Sequence, residues 1–336
     1  MKKINVAING LGRIGRAFLR VAIKHPDIEV VAVNDLSDIQ NMAYLLRYDT
    51  AYGRSGLEVV VDEGSLSVEG RKVAYLSEKE PGKLPWKSLG VDIVIEATGF
   101  FAGAELSQGH LDAGAKRVII SAPIKDGTTI LMGLNEEKLS ECVISSNASC
   151  TTNATSPLIA ILDEVIGIEK AVLNTVHAYT ATQSLVDSPA GKKGFREGRA
   201  AAQNIIPSST GAAIAVTKAY PELAGKFDGI SLRVPVICGS IADITFIAKR
   251  DTSVDEVNSA LTKASKEKRW QGIFAVAEAE LVSSDILGRP EGAIAELSMT
   301  KVVGGNLVKV LAWYDNESGY ANTLVKHVIE AGKELK

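Results

Sequence analysis

Cys150 lies near the middle of the chain, in a polar stretch made mostly of small residues. The stretch reads Ser145-Ser146-Asn147-Ala148-Ser149-Cys150-Thr151-Thr152-Asn153. An apolar run precedes it and apolar residues recur after it at helical spacing, which predicts a strand-to-helix junction with Ser149 as the N-cap. A helix N-terminus favours an anion because it presents unpaired N–H groups and the positive end of a dipole. We therefore expect the Cys150 thiol to ionise easily and to act as a nucleophile.

The N-terminal segment holds a second group of residues suited to chemistry. It has the order strand, Gly-x-Gly-x-x-Gly, helix, strand and acidic residue, with glycines Gly10, Gly12 and Gly15 and the acid Asp35. Asp35 follows Gly15 by about 20 positions, the spacing of a ribose-binding acid in a dinucleotide site. Gly10 and Gly12 permit close approach to a pyrophosphate, and Gly15 permits helix–strand packing. Since Asp35 can accept hydrogen bonds from both ribose hydroxyls and repels a 2′-phosphate, the pattern predicts NAD rather than NADP.

His177 is the histidine with the clearest chemical context. It lies in a predicted strand over 170–180, on one face with Thr175 and Tyr179. Taken alone, such a histidine is more often structural than catalytic. A nucleophilic thiol, a base and a dinucleotide site together are suited to aldehyde oxidation, in which the thiolate adds to the carbonyl and hydride then passes to the nicotinamide. The product is a thioester, which needs an acceptor such as water or phosphate.

The first half of the chain alternates strands and helices. The runs 91–99 and 116–123 end in small residues, as the strands of a parallel nucleotide-binding sheet do where they meet their ligand. Short alternating strands between residues 44 and 85 predict an antiparallel excursion within the same domain. These patterns predict a doubly wound, nucleotide-binding sheet.

The second half predicts a different kind of sheet. Long strands are expected at 227–236, 240–249 and 307–314, without regular βαβ crossovers between them. The segment 181–204 has no sustained period, which is typical of a functional loop. The predicted fold class is therefore α/β, with a Rossmann-type dinucleotide-binding domain plus an α+β catalytic domain that has a mainly antiparallel sheet.

Composition limits the possible partners. The 336 residues suffice for two domains, and a net charge of -3 gives no basic field to hold nucleic acid or an anionic membrane. Neither a secretory signal nor an apolar run of membrane-spanning length is expected. The three cysteines have no CxxC or Cys/His spacing, which argues against a disulfide framework and against a metal site. A cytoplasmic protein is the expectation.

Six motifs along the chain are specific when taken together. They are Asn9-Gly10-Leu11-Gly12-Arg13-Ile14-Gly15-Arg16, Ser146-Asn147-Ala148-Ser149-Cys150-Thr151-Thr152-Asn153, His177-Ala178-Tyr179-Thr180, Ser209-Thr210-Gly211-Ala212-Ala213, Leu232-Arg233-Val234-Pro235 and Trp313-Tyr314-Asp315-Asn316-Glu317-Ser318-Gly319-Tyr320. In this order they resemble one family, phosphorylating glyceraldehyde-3-phosphate dehydrogenase. The resemblance runs from about residue 3 to the C-terminus, and the octapeptide around Cys150 is its most specific part.

The resemblance implies an organisation and a reaction. Residues 1–149 would bind NAD, with a C-terminal helix at 317–336 packed back on them, and residues 150–316 would form the catalytic domain. The chain would be a homotetramer, with the 181–204 loop reaching a neighbouring subunit's cofactor. It would convert D-glyceraldehyde 3-phosphate and inorganic phosphate reversibly to 1,3-bisphosphoglycerate, in glycolysis or gluconeogenesis.

The resemblance also implies residue roles. Cys150 would form the thiohemiacetal and then the acyl-enzyme, and His177 would draw its proton and assist hydride departure. Asn316 would fix the nicotinamide carboxamide. The implied cofactor-binding residues are Gly10, Gly12, Arg13, Ile14, Asp35, Lys79, Thr98, Gly99, Ser121 and Asn316. The implied substrate- and phosphate-binding residues are Thr180 and Arg233 for the substrate's phosphate, Ser149, Thr210 and Gly211 for inorganic phosphate, and Thr151 beside them.

Some positions depart from the family pattern and leave alternatives open. Ala181-Thr182 replace the usual Asn-Asp, and Glu197 replaces a second arginine. Ser188 stands where NAD-specific members commonly have leucine, so use of NADP stays open. One alternative is an erythrose-4-phosphate dehydrogenase of the same fold with water as acyl acceptor, which the phosphate-binding residues disfavour. Another is a non-catalytic NAD-binding regulator, which would have no need of both Cys150 and His177.

Overall fold

The computed structural model describes residues 3–190 and 194–335. These residues form two compact units. One runs up to Ala148 and takes in the C-terminal residues from Ala321; the other is Ser149–Tyr320. Part of the predicted loop 181–204, namely 191–193, lies outside the described residues.

The first unit is built on a sheet flanked by helices. Its strands are β1 (Ile4–Asn9), β2 (Ile28–Asn34), β3 (Tyr48–Asp49), β4 (Gly53–Arg54), β5 (Val59–Asp62), β6 (Ser65–Val68), β7 (Arg71–Leu76), β8 (Ile93–Glu96), β9 (Arg117–Ile120), β10 (Thr128–Thr129) and β11 (Ile144–Ser146). Its helices are α1 (Arg13–Ala22), α2 (Ile39–Arg47) and α3 (Ala104–Asp112), with short 3-10 turns at Pro81–Lys83 and Glu136–Glu141.

The strand order of the main sheet is β10-β11-β9-β8-β1-β2-β7-β6-β5. The pairs from β10 to β7 are parallel, and β7-β6-β5 form the predicted antiparallel excursion. The apolar runs 6–8 of β1, 93–95 of β8 and 118–120 of β9 are buried, as expected where helices cover both faces of a parallel sheet. The carboxyl ends of β1, β2 and β8 therefore meet at one edge.

The second unit contains the helix that begins at Cys150 and a sheet with several longer strands. Its strands are β12 (Ile168–Ala178), β13 (Ile206–Ser209), β14 (Phe227–Val234), β15 (Ser240–Ala248), β16 (Phe274–Val276), β17 (Ala293–Ala295), β18 (Lys301–Val303) and β19 (Leu307–Tyr314). Its helices are α4 (Cys150–Val165), α5 (Ala212–Ala219) and α6 (Val254–Ala264), and α7 (Ser318–Lys333) begins in it. Short 3-10 turns lie at Phe195–Gly198, Ala201–Gln203, Pro221–Leu223, Lys268–Trp270, Ser283–Ile286 and Leu297–Met299.

This sheet has the order β13-β14-β12-β15-β19-β17-β16, with β18 beside β19. Most of its pairs are antiparallel, as predicted. Two are parallel, β12 with β14 and β16 with β17. The parallel pair β12–β14 follows from the long connection through the loop, β13 and α5, because parallel neighbours need a crossover. That pairing places Arg233 directly beside His177.

Helix α7 contributes its residues from Ala321 onward to the first unit. There, the hydroxyl of Ser145 in β11 lies 2.9 Å from His327 Nε2, and His327 Nδ1 lies 3.1 Å from Asn147 Oδ1. His327 is fully buried. These contacts tie the helix to the end of the strand that precedes Ser149. No helix of the described residues is long and apolar enough to cross a membrane.

Candidate functional site

A cavity of about 470 Å³ lies at the carboxyl edge of the parallel sheet in the first unit. Five of the predicted cofactor residues line it: Gly10, Gly12, Asp35, Lys79 and Thr98. The other lining residues are Asn9, Asn34, Leu36, Glu78, Ala97, Phe100 and Phe101, which sequence reasoning did not assign.

Four other predicted cofactor residues of this unit do not line the cavity: Arg13, Ile14, Gly99 and Ser121. Arg13 pairs with Asp49 at 2.7 Å, and the Ser121 hydroxyl donates to the Glu96 carbonyl at 3.0 Å.

The glycine positions fit a bound pyrophosphate. Gly10 has φ +96°, and a Cβ there would lie 2.7 Å from the Thr98 nitrogen. A Cβ at Gly15 would lie 2.0 Å from the Gly10 oxygen, so only glycine lets α1 pack this closely on the loop. A Cβ at Gly12 would meet nothing within 4 Å, which leaves open space at the start of α1. The Asp35 carboxylate accepts hydrogen bonds from Leu11 N at 2.7 Å and from Ser37 N at 2.9 Å, which hold it at this edge.

A buried polar network supports the cavity from below. The Glu96 carboxylate accepts from Asn9 Nδ2 at 2.6 Å and from Thr98 N at 2.8 Å, and the Thr98 hydroxyl also donates to it. His110 Nε2 lies 3.1 Å from the same carboxylate, and Trp86 Nε1 lies 3.0 Å from His110 Nδ1. Because an indole N–H can only donate, Nδ1 must be the acceptor and Nε2 must carry the proton. His110 is thus a neutral donor to Glu96.

Cys150 is the first residue of α4 in the second unit. The Ser149 hydroxyl caps the helix by accepting from Thr152 N at 3.1 Å, as predicted. Cys150 is half-buried, and its Sγ lies 3.4 Å from His177 Nε2. The structure therefore brings the predicted nucleophile and the predicted base into contact. The chain folds this way because a capped helix start and the end of β12 meet above one apolar core.

The other nitrogen of the His177 ring has two close neighbours. Arg233 Nη1 lies 2.6 Å from His177 Nδ1, and the carbonyl oxygen of Ala178 also lies 2.6 Å from it. Arg233 Nη1 donates to the same carbonyl at 3.2 Å. Among the described residues, Arg233 Nε is buried without a hydrogen-bond partner. Arg233 therefore retains a donor for a ligand next to the histidine.

Burial dominates the ionisation of the Cys150–His177 pair. It raises the pKa of the Cys150 thiol, although the Arg233 guanidinium acts in the opposite direction. Burial also lowers the pKa of His177, to about 3, and the charge of Arg233 lowers it further. The resting pair is thus a thiol beside a neutral imidazole. Desolvation therefore opposes the ionisation of Cys150 that the helix start favours, and the expected ease of ionisation stays a prediction.

Tyr314 is a buried residue behind this pair to which the sequence analysis gave no role. Its hydroxyl contacts the hydroxyls of Thr151 at 2.9 Å and Thr175 at 2.7 Å, and its ring lies edge-on to His177. The Thr151 hydroxyl thus faces Tyr314. The alternation of β19, in which every second residue is buried, was the available signal for an inward Tyr314.

The remaining predicted phosphate residues lie around α5 and the loop. Thr210 Oγ1 accepts from Ala212 N at 3.2 Å, and Gly211 immediately precedes α5. The Thr152 hydroxyl lies 3.5 Å from the Ala212 carbonyl, so the starts of α4 and α5 are neighbours. Thr180 N donates to Gln183 Oε1 at 2.8 Å.

Glu197, one of the departures from the family pattern, is buried. Its carboxylate accepts from the Gln183 side-chain amide and from the Ser208 hydroxyl. It thereby joins the loop after Thr180 to β13. Arg199 pairs with the exposed Asp187 at 2.9 Å.

Comparisons with family models and with individual known proteins agree on one family. The family model described as the NAD binding domain of glyceraldehyde 3-phosphate dehydrogenase matches residues 4–104, and the model of its C-terminal domain matches 149–316. The glyceraldehyde-3-phosphate dehydrogenase of Streptomyces coelicolor is 47% identical over 336 residues, 99% of each chain. Those of Clostridium pasteurianum and Geobacillus stearothermophilus are each 46% identical over 96% of both chains. The chain belongs to the glyceraldehyde-3-phosphate dehydrogenase family.

Membership of the glyceraldehyde-3-phosphate dehydrogenase family confirms several predictions. The resemblance, the two-part α/β fold class and NAD as the cofactor are all confirmed. The chain is an NAD-dependent oxidoreductase. The individual residue roles stay predictions, to which the geometry above adds support.

Proposed function

We propose that the chain catalyses the reversible, NAD-dependent oxidative phosphorylation of D-glyceraldehyde 3-phosphate to 1,3-bisphosphoglycerate. The observation that carries the proposal is the 3.4 Å contact between Cys150 Sγ and His177 Nε2, with Arg233 on the far side of the imidazole. A nucleophile, a base and a cation for a phosphate are thus contiguous in one unit. Bound NAD would supply the hydride acceptor.

The proposed covalent steps start from the protonation states of Cys150 and His177 in the absence of substrate. Since Cys150 is a thiol and His177 is neutral, the thiol proton passes to His177 Nε2 as sulfur bonds to the aldehyde carbon. Loss of hydride from that carbon restores the carbonyl and leaves a thioester on Cys150. Inorganic phosphate then attacks the thioester carbon, the C–S bond breaks, and His177 returns a proton to sulfur.

The two phosphate sites are inferred from the family resemblance, and the donors present support them. Arg233 and Thr180 would bind the substrate's own phosphate, and Ser149, Thr151, Thr210 and Gly211 would surround the inorganic one. A dianion on Arg233 also opposes the effect of that guanidinium on the His177 pKa. Binding of a phosphorylated aldehyde would therefore strengthen the base that the reaction needs.

The cofactor would lie at the edge of the parallel sheet. Asp35 would bind the adenosine ribose, the loop from Gly10 to Ile14 the pyrophosphate, and Lys79, Thr98, Gly99 and Ser121 the adenosine side, with Asn316 for the nicotinamide. In this proposal the chain divides functionally near 149/150, with the C-terminal helix belonging to the cofactor-binding part. A cytoplasmic location suits its three cysteine thiols, since thiols persist in a reducing compartment.

A homotetramer is part of the proposal because one sheet face of the second unit exposes several apolar side chains around the Lys309–Asp243 ion pair. Cross-strand register puts Val172, Ile230, Val303 and Leu307 on this face, and each is between 42% and 63% exposed. The loop and β13 region exposes four more apolar side chains, Leu185, Val186, Phe195 and Ile205. Groups of exposed apolar side chains of this kind mark interfaces. Light scattering should give about four times 35.6 kDa, and Ile230→Asp should lower that mass; a wild-type monomer would contradict the proposal.

The central experiment mixes the purified chain with NAD+ and glyceraldehyde 3-phosphate and follows NADH with and without inorganic phosphate. We expect sustained turnover only with phosphate. Turnover that ignores phosphate, or none at all, would contradict the proposed reaction. Parallel reactions with erythrose 4-phosphate and with NADP+ test the nearest alternative substrate and cofactor.

A further inference from the structure

Asn316 is held by an oriented set of donors in the second unit. It is buried, and its Oδ1 accepts from Gly239 N at 3.1 Å and from the Ser240 hydroxyl at 3.0 Å. A backbone N–H can only donate, so the side-chain atom that faces Gly239 must be the amide oxygen. The amide nitrogen, Nδ2, is therefore directed away from this pair as a donor.

The direction of the Ser240 hydroxyl follows in the same way. Ser240 Oγ accepts from Ala178 N at 3.1 Å. A serine hydroxyl has one proton, which the Ala178 contact does not use, so that proton is available for Asn316 Oδ1. Ala178 is the residue that follows His177. Ser240 thus links the backbone beside His177 to the amide of Asn316 through two hydrogen bonds of defined polarity.

The backbone around Asn316 is pinned independently. The buried Asp315 carboxylate accepts from Gly288 N at 2.8 Å, Glu317 N at 2.9 Å and Ser318 N at 2.8 Å. The Cys238 thiol lies 3.3 Å from the same carboxylate. With the main chain fixed, the orientation of the Asn316 amide depends on the donors to its Oδ1, which are Gly239 N, the Ser240 hydroxyl and, at 3.7 Å, the Cys238 thiol. The Ser240 hydroxyl is the shorter of the two side-chain contacts and the stronger donor.

We propose that Ser240 is a positioning residue that fixes Asn316 with its Nδ2 outward, as the donor to the carboxamide oxygen of the nicotinamide. The inference rests on the proposed function in one respect, the assignment of Asn316 to the carboxamide. Ser240 does not touch the cofactor. It sets which hydrogen-bonding group of Asn316 the cofactor meets, and it ties that group to the strand carrying the base.

The test measures binding by calorimetry in the full-length chain, with Ser240→Ala. We expect NAD+ to bind about tenfold more weakly, the loss of roughly one oriented hydrogen bond, while ADP-ribose, which lacks nicotinamide, binds unchanged. The 3-acetylpyridine analogue of NAD+ keeps the carbonyl oxygen but lacks the amide nitrogen, so it should lose the same factor. An analogue with unsubstituted pyridine should lose nothing.

Ser231→Ala is the matched control. Ser231 is also a buried strand serine of this sheet, and its hydroxyl has no hydrogen-bond partner among the described residues. We expect it to leave both affinities unchanged. In an Asn316→Ala background, Ser240→Ala should add no further loss of NAD+ affinity, which a merely structural role would not produce.

The outcomes distinguish the assignment of Asn316 to the nicotinamide from the positioning role of Ser240. If Asn316→Ala leaves NAD+ affinity unchanged, the assignment of Asn316 fails and this inference fails with it. If Asn316→Ala weakens NAD+ but Ser240→Ala does not, or weakens ADP-ribose equally, only the role of Ser240 is overturned. Should Ser240→Ala not fold, Ser240→Cys offers a weaker donor of similar size and is expected to lose several-fold on NAD+ alone.

Discussion

Two buried histidines, one in each unit, show how differently the chain uses its hydrogen bonds. His110 accepts from the Trp86 indole and donates to Glu96, so only one tautomer satisfies both neighbours. His177 has a donor, Arg233, and an acceptor, the Ala178 carbonyl, both 2.6 Å from the same nitrogen. A neutral imidazole can satisfy only one of them at a time.

The difference matches the work proposed for each region. We call the hydrogen bonds around His110 a closed network, because one tautomer satisfies both neighbours, and those around His177 an open network, because no single tautomer does. A cofactor-binding edge benefits from a closed network, because every fixed group lowers the free-energy cost of ordering the site on binding. A base that later acts as an acid alternates between a neutral ring and an imidazolium, and the imidazolium needs an acceptor for its Nδ1–H, which the Ala178 carbonyl supplies. With Nδ1 donating to Ala178, Nε2 can take the thiol proton; with Nδ1 accepting from Arg233, Nε2–H can stabilise a thiolate. The contrast between the two networks can be tested by substitutions in the second unit, at Cys150 and His177, and in the first, at Glu96.

The largest effect is expected from Cys150→Ser. A serine hydroxyl is a far weaker nucleophile than a thiol at neutral pH, and the neighbouring imidazole has a low pKa, so kcat should fall by at least about 10³-fold. NAD+ affinity should stay within about twofold of wild type. Cys142→Ser, which changes another half-buried cysteine, is the matched control and should keep full activity. Substantial turnover by Cys150→Ser would mean that the nucleophile is misassigned.

His177→Asn should rank second. Without the base, kcat should fall by about 10²–10⁴-fold. In a Cys142→Ser background, the rate of Cys150 alkylation by iodoacetamide, followed by mass spectrometry across pH, should also drop and change its profile. Identical alkylation profiles in both proteins would show that the imidazole does not influence the thiol, against the open-network interpretation.

Glu96→Gln tests the closed network. The new amide nitrogen would face Asn9 Nδ2 or His110 Nε2, both donors, so we expect a loss of about 2–4 kcal/mol in the free energy of unfolding. NAD+ should also bind more weakly, because Asn9, which lines the cavity, loses its acceptor. The control is Glu29→Gln, which removes the exposed ion pair with Lys3 on the same sheet and should cost less than about 1 kcal/mol. Equal urea midpoints for the two variants would rule out a stabilising role for the network.

The local parts of this architecture could be predicted from the sequence. The glycine pattern with Asp35 and the cap at Ser149 depend on residues close in sequence, and periodicity placed His177 on a strand. The parallel pairing of β12 with β14 depends on a long connection, which local patterns do not encode. It is this pairing that places Arg233 against the His177 ring.

Burial and long-range polar contacts could not be predicted. The helix start favours a Cys150 thiolate, but desolvation raises the pKa of the thiol instead, and the depth of burial depends on packing between distant segments. Ser240 and Asn316 are 76 positions apart, and neither stands out by type. The sequence analysis gave His110 no role, yet it donates to the buried Glu96.

The smallest effect concerns His327, the fully buried histidine of α7. Burial lowers the pKa of His327 to about 3, from an ordinary value of 6.5 in the unfolded chain. Below pH 6.5 the unfolded chain therefore binds a proton that the folded chain does not, so stability falls as pH falls and is unaffected above that range. Between pH 6.5 and 5.5 the loss should be about 1 kcal/mol. Urea titrations of wild type and His327→Gln should differ in pH slope by this amount over that interval and agree in slope above pH 7.5. Parallel slopes throughout would mean that His327 accepts a proton without leaving its contacts with Ser145 and Asn147, and that its network is as open as that of His177.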